Sequence, residues 1–321
     1  MRNLIEGLFR PAFAGDGPRS PAHDSAVVEI AGGRLAMTTD TFVVRPLFFP
    51  GGDIGKLAIY GTVNDLAMSG AKPLYLSAGF ILEEGLPMET LRRVVDSMSA
   101  ASREVGVRII TGDTKVVDHG KGDGIFINTA GIGLVPPGID IAPQRVVPGD
   151  VVLVSGDLGR HGMAVMSVRE GLGFESELQS DCASLAGLVE AMSAVGEDLH
   201  CLRDLTRGGL TAALNEIAMD VQVGIEIEEA AIPVSETVAA ACEILGLDAL
   251  YVANEGRLVA FVAPQAASRL LDIMRRHPAA HGPAIIGRVT KENPRSVEVR
   301  GPLGGGRILD LLSGEQMPRI C

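Results

Sequence analysis

The stretch "VPPGIDIAPQRVVPGD", residues 135–150, constrains this fold more than any other, with four prolines and two glycines in sixteen positions. Proline removes a backbone donor and pushes the residue before it out of the helical region, so no helix or central strand crosses this stretch. It divides the 321 residues into two parts near residue 145, each long enough to build its own core. The division gives a first domain over 1–145, a second over 146–310 and a tail over 311–321.

Periodicity fills in each part. In the first, strands are expected near 26–30, 35–44, 74–83, 107–112 and 125–134, with helices at about 54–70 and 87–105. The second opens on "VVLVSG", a continuous β-branched run that reads as a buried strand. Helices are expected there near 159–170, 183–195, 208–220, 234–246 and 264–276, and strands near 223–228, 257–263, 284–290 and 296–300. Neither part alternates strand and helix strictly, which predicts two α+β domains rather than one doubly wound sheet. The last ten residues, "LSGEQMPRIC", read as a flexible tether reaching roughly 33 Å when extended.

Charge and composition narrow the function. A formal net charge of −12, aromatics at 4% and no Trp argue against nucleic-acid binding. An anionic ligand would have to be held locally, by backbone N–H groups, a few Lys or Arg, or bound cations. Cys182, Cys201, Cys242 and Cys321 form no C-x-x-C pair and have no His cluster beside them, so neither zinc nor a disulfide scaffold is expected, and a reducing cytoplasm is the default. The first three read as small buried hydrophobes. Glu6 and Arg10 interrupt the opening apolar residues, unlike a signal peptide, and no run is long enough for a membrane span. Cys321 is the last residue rather than fourth from the end, so it is not a prenylation site.

No phosphate-binding loop of the Walker type is present. "GGDIGKL" comes nearest, but its glycine spacing is short and Leu57 replaces the hydroxyl that would hold Mg²⁺. Four aspartates stand out instead. Asp40 closes the strand run "LAMTTD"; Asp65 falls on a helical stripe with Ile54, Ala58, Gly61 and Met68; Asp113 follows a strand in "IITGDTK"; Asp204 lies in "LRDLTRGGL". Singly, these are what caps, turns and solvated faces use. Together they are a hard-oxygen set suited to Mg²⁺ and a polyphosphate. Lys115, two residues after Asp113, is either a phosphate contact or a solvated lysine. Glu255, in the turn-like "NEG", is either functional or merely solvated.

A wider set of motifs resembles one family. "DTFVVRPLFFPGGDIGKLAIYGTVNDLAMSGAKPLYLSAGFILEEGLP", "TGDTKVV", "INTAGIG", "SGDLGRHG", "SDCASL", "RDLTRGGL", "GLDALYVANEGRLV" and the terminal "PRIC" are similar to the HypE family of [NiFe]-hydrogenase maturation proteins, within the aminoimidazole ribonucleotide synthetase-like superfamily. The likeness runs from about residue 2 to 321. It implies that the first domains of two subunits pair into a β-barrel, that the second domain is an α/β sandwich, and that ATP binds without a P-loop. It implies that Asp40, Asp65, Asp113 and Asp204 hold Mg²⁺, with Asn64, Asp65, Thr111, Asp113, Asp204 and Arg207 around the nucleotide. Lys115 would steady the transferring phosphoryl group and Glu255 would be the general base.

The implied reaction is ATP-dependent dehydration of an S-carboxamide on Cys321 to an S-cyanide. A HypF carbamoyltransferase would load the thiol, and a HypC–HypD complex would receive the cyano group. Members carry a His- and Gly-rich segment ahead of the helix that "MRNLIEGLF" matches, implied to close over the ATP phosphates; this sequence starts inside that helix. Two other readings stand beside this one: a non-catalytic carrier in hydrogenase maturation, and a relative acting on a free small molecule such as selenide.

Overall fold

The computed structural model describes residues 23–171, 178–301 and 304–311. The first part begins with an antiparallel pair, β1 (Ala26–Ile30) and β2 (Gly33–Phe42). The two-residue strands β3 (Phe48–Phe49) and β4 (Gly52–Asp53) then lead into helix α1 (Ile54–Met68). β5 (Lys72–Glu83), helix α2 (Met88–Val105), β6 (Arg108–Val117) and β7 (Ile125–Val135) follow. The five long strands form one sheet in the order β1-β2-β7-β5-β6, parallel only between β5 and β6, which α2 connects.

The near-miss phosphate loop turns out to be a helix start. Asp53 is the N-cap of α1, and its Oδ1 accepts the N–H groups of Gly55 and Lys56 at 2.8 and 3.1 Å. Ser97 on α2 donates to the other oxygen at 2.7 Å. At Gly55 a Cβ would sit 2.6 Å from the Val94 carbonyl oxygen, so glycine lets the two helices approach.

Strand alternation divides the sheet into two faces. Ala36, Phe42, Ile125, Ile127 and Thr129 are buried on the side of α1; the Thr129 hydroxyl reaches the Ala58 carbonyl of that helix at 2.8 Å. The opposite face leaves Met37, Tyr75, Ile81 and Leu134 exposed. α1 itself is buried nearly all round, as a helix must be when packed on both sides. One side meets the first sheet, and the other meets the second part of the chain.

That second part contains β8 (Val151–Val154), α3 (Arg160–Arg169), α4 (Ala186–Met192), β9 (Leu199–Asp204), α5 (Gly209–Val221), β10 (Gly224–Glu228), α6 (Glu236–Leu245), β11 (Leu258–Val262), α7 (Ala267–Arg276), β12 (Ala284–Thr290), β13 (Val297–Arg300) and β14 (Gly306–Ile308). Its sheet order is β14-β13-β10-β12-β8-β11-β9. Alternate residues of the central strands feed two cores. Val152, Val154, Val259 and Phe261 pack with Leu210, Leu214 and Ile217 of α5. Leu153, Leu258, Ala260 and Val262 pack with α4 and α7 through Leu188, Val189, Leu270 and Met274. Helices thus cover both faces, which is why these strands read as unbroken apolar runs. The second core also takes in Ala67 and Met68 of α1.

The mixed α+β architecture matches the expectation; the short strands β3, β4 and β14 are not among the expected elements, and three longer elements differ. β9 was not anticipated, because its polar His200 and Arg203 mask the apolar Leu199, Cys201 and Leu202 of "LHCLRD". The helix expected over 183–195 is confined to Ala186–Met192 and continues as a 3-10 segment, Ser193–Asp198, broken at Gly196 with φ 65°. β6 runs to Val117 instead of stopping at 112. "TGD" looks like a turn, but a Cβ on Gly112 would lie 2.2 Å from the Ala78 carbonyl oxygen, so the glycine serves close strand approach. Asp113 therefore lies within a strand rather than after one. Among the described residues no helix is long and apolar enough to cross a membrane, and Cys182, Cys201 and Cys242 are buried and unpaired.

Candidate active site

α1 carries Asp65 in its last turn, at the seam between the two parts of the chain. β9 delivers Asp204 at its C-terminal end, and Asp24 lies two residues before β1. One carboxylate oxygen from each of Asp24, Asp65 and Asp204 comes within 4.8 Å of the other two. The Thr38 hydroxyl donates to Asp65 Oδ2 at 2.7 Å, and also lies 2.9 Å from the Asp24 carbonyl. Asp40, on the α1 side of β2 opposite Thr129, borders the cluster; its Oδ2 lies 3.6 Å from where a Cβ on Gly61 would sit.

Burial and mutual repulsion make the ionised cluster costly. Burial, with the charges of Asp204, Asp24 and Asp40, drives the Asp65 carboxyl well above the usual range. Asp204 is pushed up to about 8 by burial and by Asp24, against the pull of Arg203. Asp24 is pushed up to about 6 by burial, although Arg203 Nε lies 2.7 Å from its Oδ1. Asp40 is raised by burial and drawn back by Arg207. Arg203 also pairs with Glu216 at 2.8 Å, so it does not neutralise the cluster. Asp24 Oδ2 is buried with no hydrogen-bond partner. Three convergent carboxylates, one of them with an orphaned oxygen, fit a hard divalent cation.

Glu255 lies between Asn254 and Gly256 ahead of β11, as expected, but it is buried, 4% exposed, rather than solvated. Burial raises its pKa well above the ordinary value; the fields of Asp204, Asp40 and Asp181 add to this and Arg207 opposes it. Arg207 is exposed, in the turn from β9 to α5. Gly208 and Gly209, with φ of 76° and 57°, make that turn, and a Cβ on Gly209 would lie 2.5 Å from the Val252 carbonyl oxygen. Asp204 is thus not a helix cap: Gly208 takes that position with no side-chain hydrogen bond.

Asn64 has a role other than the nucleotide contact expected. Its Nδ2 donates to the Ala183 carbonyl at 3.0 Å and reaches that of Glu255 at 3.5 Å, while its Oδ1 accepts the Leu185 N–H at 2.7 Å. The buried carboxamide is spent on the second part's backbone.

Thr111, Asp113 and Lys115 are not gathered into the cluster. All three are exposed on β6, and Asp113 and Lys115 pair in register with Gly79 and Ile81, on the sheet face away from α1. Cys321 lies outside the described residues. The sequence reading missed Asp24, whose signal was a charged residue set directly against the strand run of "HDSAVVEI". It also passed over Asp181, whose carboxylate holds the backbone of Glu255 and Gly256.

Comparison with known proteins matches residues 22–135 to the AIR synthase related protein N-terminal domain and 147–300 to the C-terminal domain of the same family. The carbamoyl dehydratase HypE of Azotobacter vinelandii is 54% identical over 321 residues, covering 100% of this chain and 94% of that protein. A crystal structure of a HypE–HypF complex matches with a TM-score of 0.90 and 48% identity, over 96% of this chain and 99% of that one. A crystal structure of HypE in complex with ATP matches with a TM-score of 0.87 and 46% identity, over 100% and 96%. With this identity sustained through both domains, the chain belongs to the HypE family of carbamoyl dehydratases, within the AIR synthase related proteins.

Proposed function

We propose that this chain dehydrates the S-carboxamide carried on its own Cys321 to an S-cyanide, using ATP, and so supplies the cyano ligand for the iron of [NiFe]-hydrogenase. The convergence of Asp24, Asp65 and Asp204 within 4.8 Å, in the same seam as a buried Glu255, carries the reading. An amide oxygen is a poor leaving group. Transfer of the ATP γ-phosphoryl group makes it a good one, and loss of the two N–H protons lets the C≡N bond form as phosphate departs. The oxygen and both hydrogens leave as the elements of water, taken up in the phosphate.

Asp24, Asp65, Asp204 and Asp40 are the residues that would hold Mg²⁺, which when bound supplies charge neutralisation for the polyphosphate. Arg207, exposed beside these carboxylates, adds a cation for the phosphates. Glu255 takes the N–H proton lost as the C≡N bond closes; its buried, anion-ringed setting raises its basicity.

A second copy of the chain is read as completing the site. The exposed face of the first sheet and the β6 edge present Met37, Tyr75, Ile81, Ile110, Val116 and Leu134, an unpaired apolar surface that a second sheet would cover. Thr111, Asp113 and Lys115 stand on that strand, which supports a role towards a nucleotide held at the subunit junction. A HypF-type carbamoyltransferase loads Cys321, a HypC–HypD complex takes the cyano group, and the cytoplasm is the proposed compartment.

The test is to carbamoylate the full chain, add Mg-ATP and weigh the C-terminal peptide. Loss of one water from the Cys321 adduct is expected. An unchanged adduct on protein that has bound nucleotide would instead make the chain a carrier.

A further inference from the structure

A general base works only when held within hydrogen-bond reach of the proton it removes, so whatever fixes the Glu255 backbone matters as much as its carboxylate. Both backbone polar groups of Glu255 are engaged. Its N–H donates to Asp181 Oδ1 at 3.3 Å, and the next N–H, of Gly256, donates to Asp181 Oδ2 at 3.2 Å. Its carbonyl accepts from the Ala183 N–H and from Asn64 Nδ2, both at 3.5 Å.

The Asp181 side chain is fully buried, and the nearest cation is already committed elsewhere. Arg257 Nε lies 4.0 Å from Asp181 Oδ2, but this guanidinium is held by Asp157, at 2.8 Å through Nη2 and at 3.0 Å from Nε to the backbone carbonyl. A buried carboxylate with so distant a counterion leans on the two successive N–H groups, a small anion nest. Contact on the other side is as tight: a Cβ on Gly256 would lie 1.9 Å from the Asp181 carbonyl oxygen. The loop bearing Asp181 is itself fixed. Ser180 N–H donates to the Pro50 carbonyl at 2.9 Å, and its hydroxyl meets His161 Nδ1 at 2.9 Å and accepts the Cys182 N–H at 3.1 Å.

We propose that Asp181 is the positioning residue for Glu255, its two carboxylate oxygens gripping the Glu255 and Gly256 amides so that the Glu255 side chain is presented to the S-carboxamide. The inference rests on the reading of Glu255 as the base. Asp181→Asn is nearly isosteric, yet one of its two side-chain positions becomes an NH₂ facing a backbone N–H, so one amide loses its acceptor.

In the full carbamoylated chain at saturating Mg-ATP, Asp181→Asn is expected to lower kcat for dehydration about 100-fold, the scale of a misplacement of about 1 Å. The ATP Kd should stay within about twofold of wild type, and Asp181→Asn/Glu255→Gln should be no slower than Glu255→Gln alone, because the two act as one unit. Wild-type kcat in folded Asp181→Asn overturns the proposal. So does a parallel loss of ATP binding, which would mark a merely structural residue. Should Asp181→Asn fail to fold, Gly256→Ala pushes the same segment from the other side and is read by the same two numbers. Full activity in Glu255→Gln removes the base assignment itself; an inactive Glu255→Gln beside a fully active Asp181→Asn removes the positioning role alone.

Discussion

Asn64 and Asp65 are neighbours on α1, yet their side chains have different partners at the seam. Asn64 gives its whole carboxamide to the backbone of Ala183, Leu185 and Glu255, and Asp65 turns its carboxylate to Asp24 and Asp204. One turn of helix therefore both ties the two parts together and supplies a candidate cation ligand. Asn64→Ala should strand the Leu185 N–H and weaken the seam. A loss of about 2–3 kcal/mol in chemical denaturation is expected, the scale for buried polar groups left unpaired; a loss within error would remove the clamp.

Asp65→Asn should separate stability from binding. It keeps an acceptor for the Thr38 hydroxyl and removes one charge from a crowded cluster. Metal-free protein should melt at the same temperature or higher at about pH 8, while the rise produced by Mg²⁺ shrinks and Mg-ATP affinity falls at least about tenfold, or about 1.4 kcal/mol. Calorimetric titration checks both, and an unchanged affinity takes Asp65 out of the site.

The pH dependence has a definite sign. Asp24 and Asp204 titrate at about 6 and about 8 in the folded protein, against 3.8 for an ordinary aspartate. The folded state thus keeps protons that the unfolded chain gives up. Their contribution to stability is fully present below about pH 4 and is lost as pH climbs through about 6 and then about 8. Metal-free protein should therefore melt progressively lower between about pH 4 and about pH 8. Mg²⁺ should restore more of the melting temperature at the upper end, since it replaces those protons. A flat metal-free profile by differential scanning fluorimetry would contradict the charge crowding.

Two kinds of information were legible in the sequence to different degrees. Proline and glycine placement marked the separation between the sheets, and continuous apolar runs marked β8 and β11, because a strand covered on both faces has little choice of composition. Asp65 stood out as a charge on a helical stripe of buried residues. Asp24 did not, since a single aspartate beside a strand looks like a turn residue until Asp204 arrives from another sheet. Asn64 read as a ligand contact because nothing local shows that the 183–185 backbone will use its amide. Asp113 and Lys115 raise a different difficulty: their motif is plain in "TGDTK", yet within one chain they face away from the carboxylates.

Cys321→Ala should abolish S-cyanide formation, because the acceptor thiol is removed, and leave Mg-ATP affinity unchanged, since Cys321 is not among the carboxylates proposed to hold the metal. Mass analysis of the C-terminal peptide and a nucleotide titration give the two readouts. A matching loss of ATP binding would mean that the tail forms part of the nucleotide site.

The orientation of Asp113 leads to a complementation test. If Asp113 of one subunit serves the site built on Asp65 of another, a symmetric dimer holds two such shared sites. Asp65→Asn and Asp113→Asn dimers should each be inactive alone. In a fully exchanged equal mixture, about half of the dimers are mixed. Each mixed dimer has one site carrying both substitutions and one carrying neither, so activity should return to about one quarter of wild type. Sites contained within single chains would stay inactive at every mixing ratio. Light scattering on Ile110→Asp, which puts a charge on the exposed β6 strand, provides the control: this variant should be monomeric and should gain nothing from mixing.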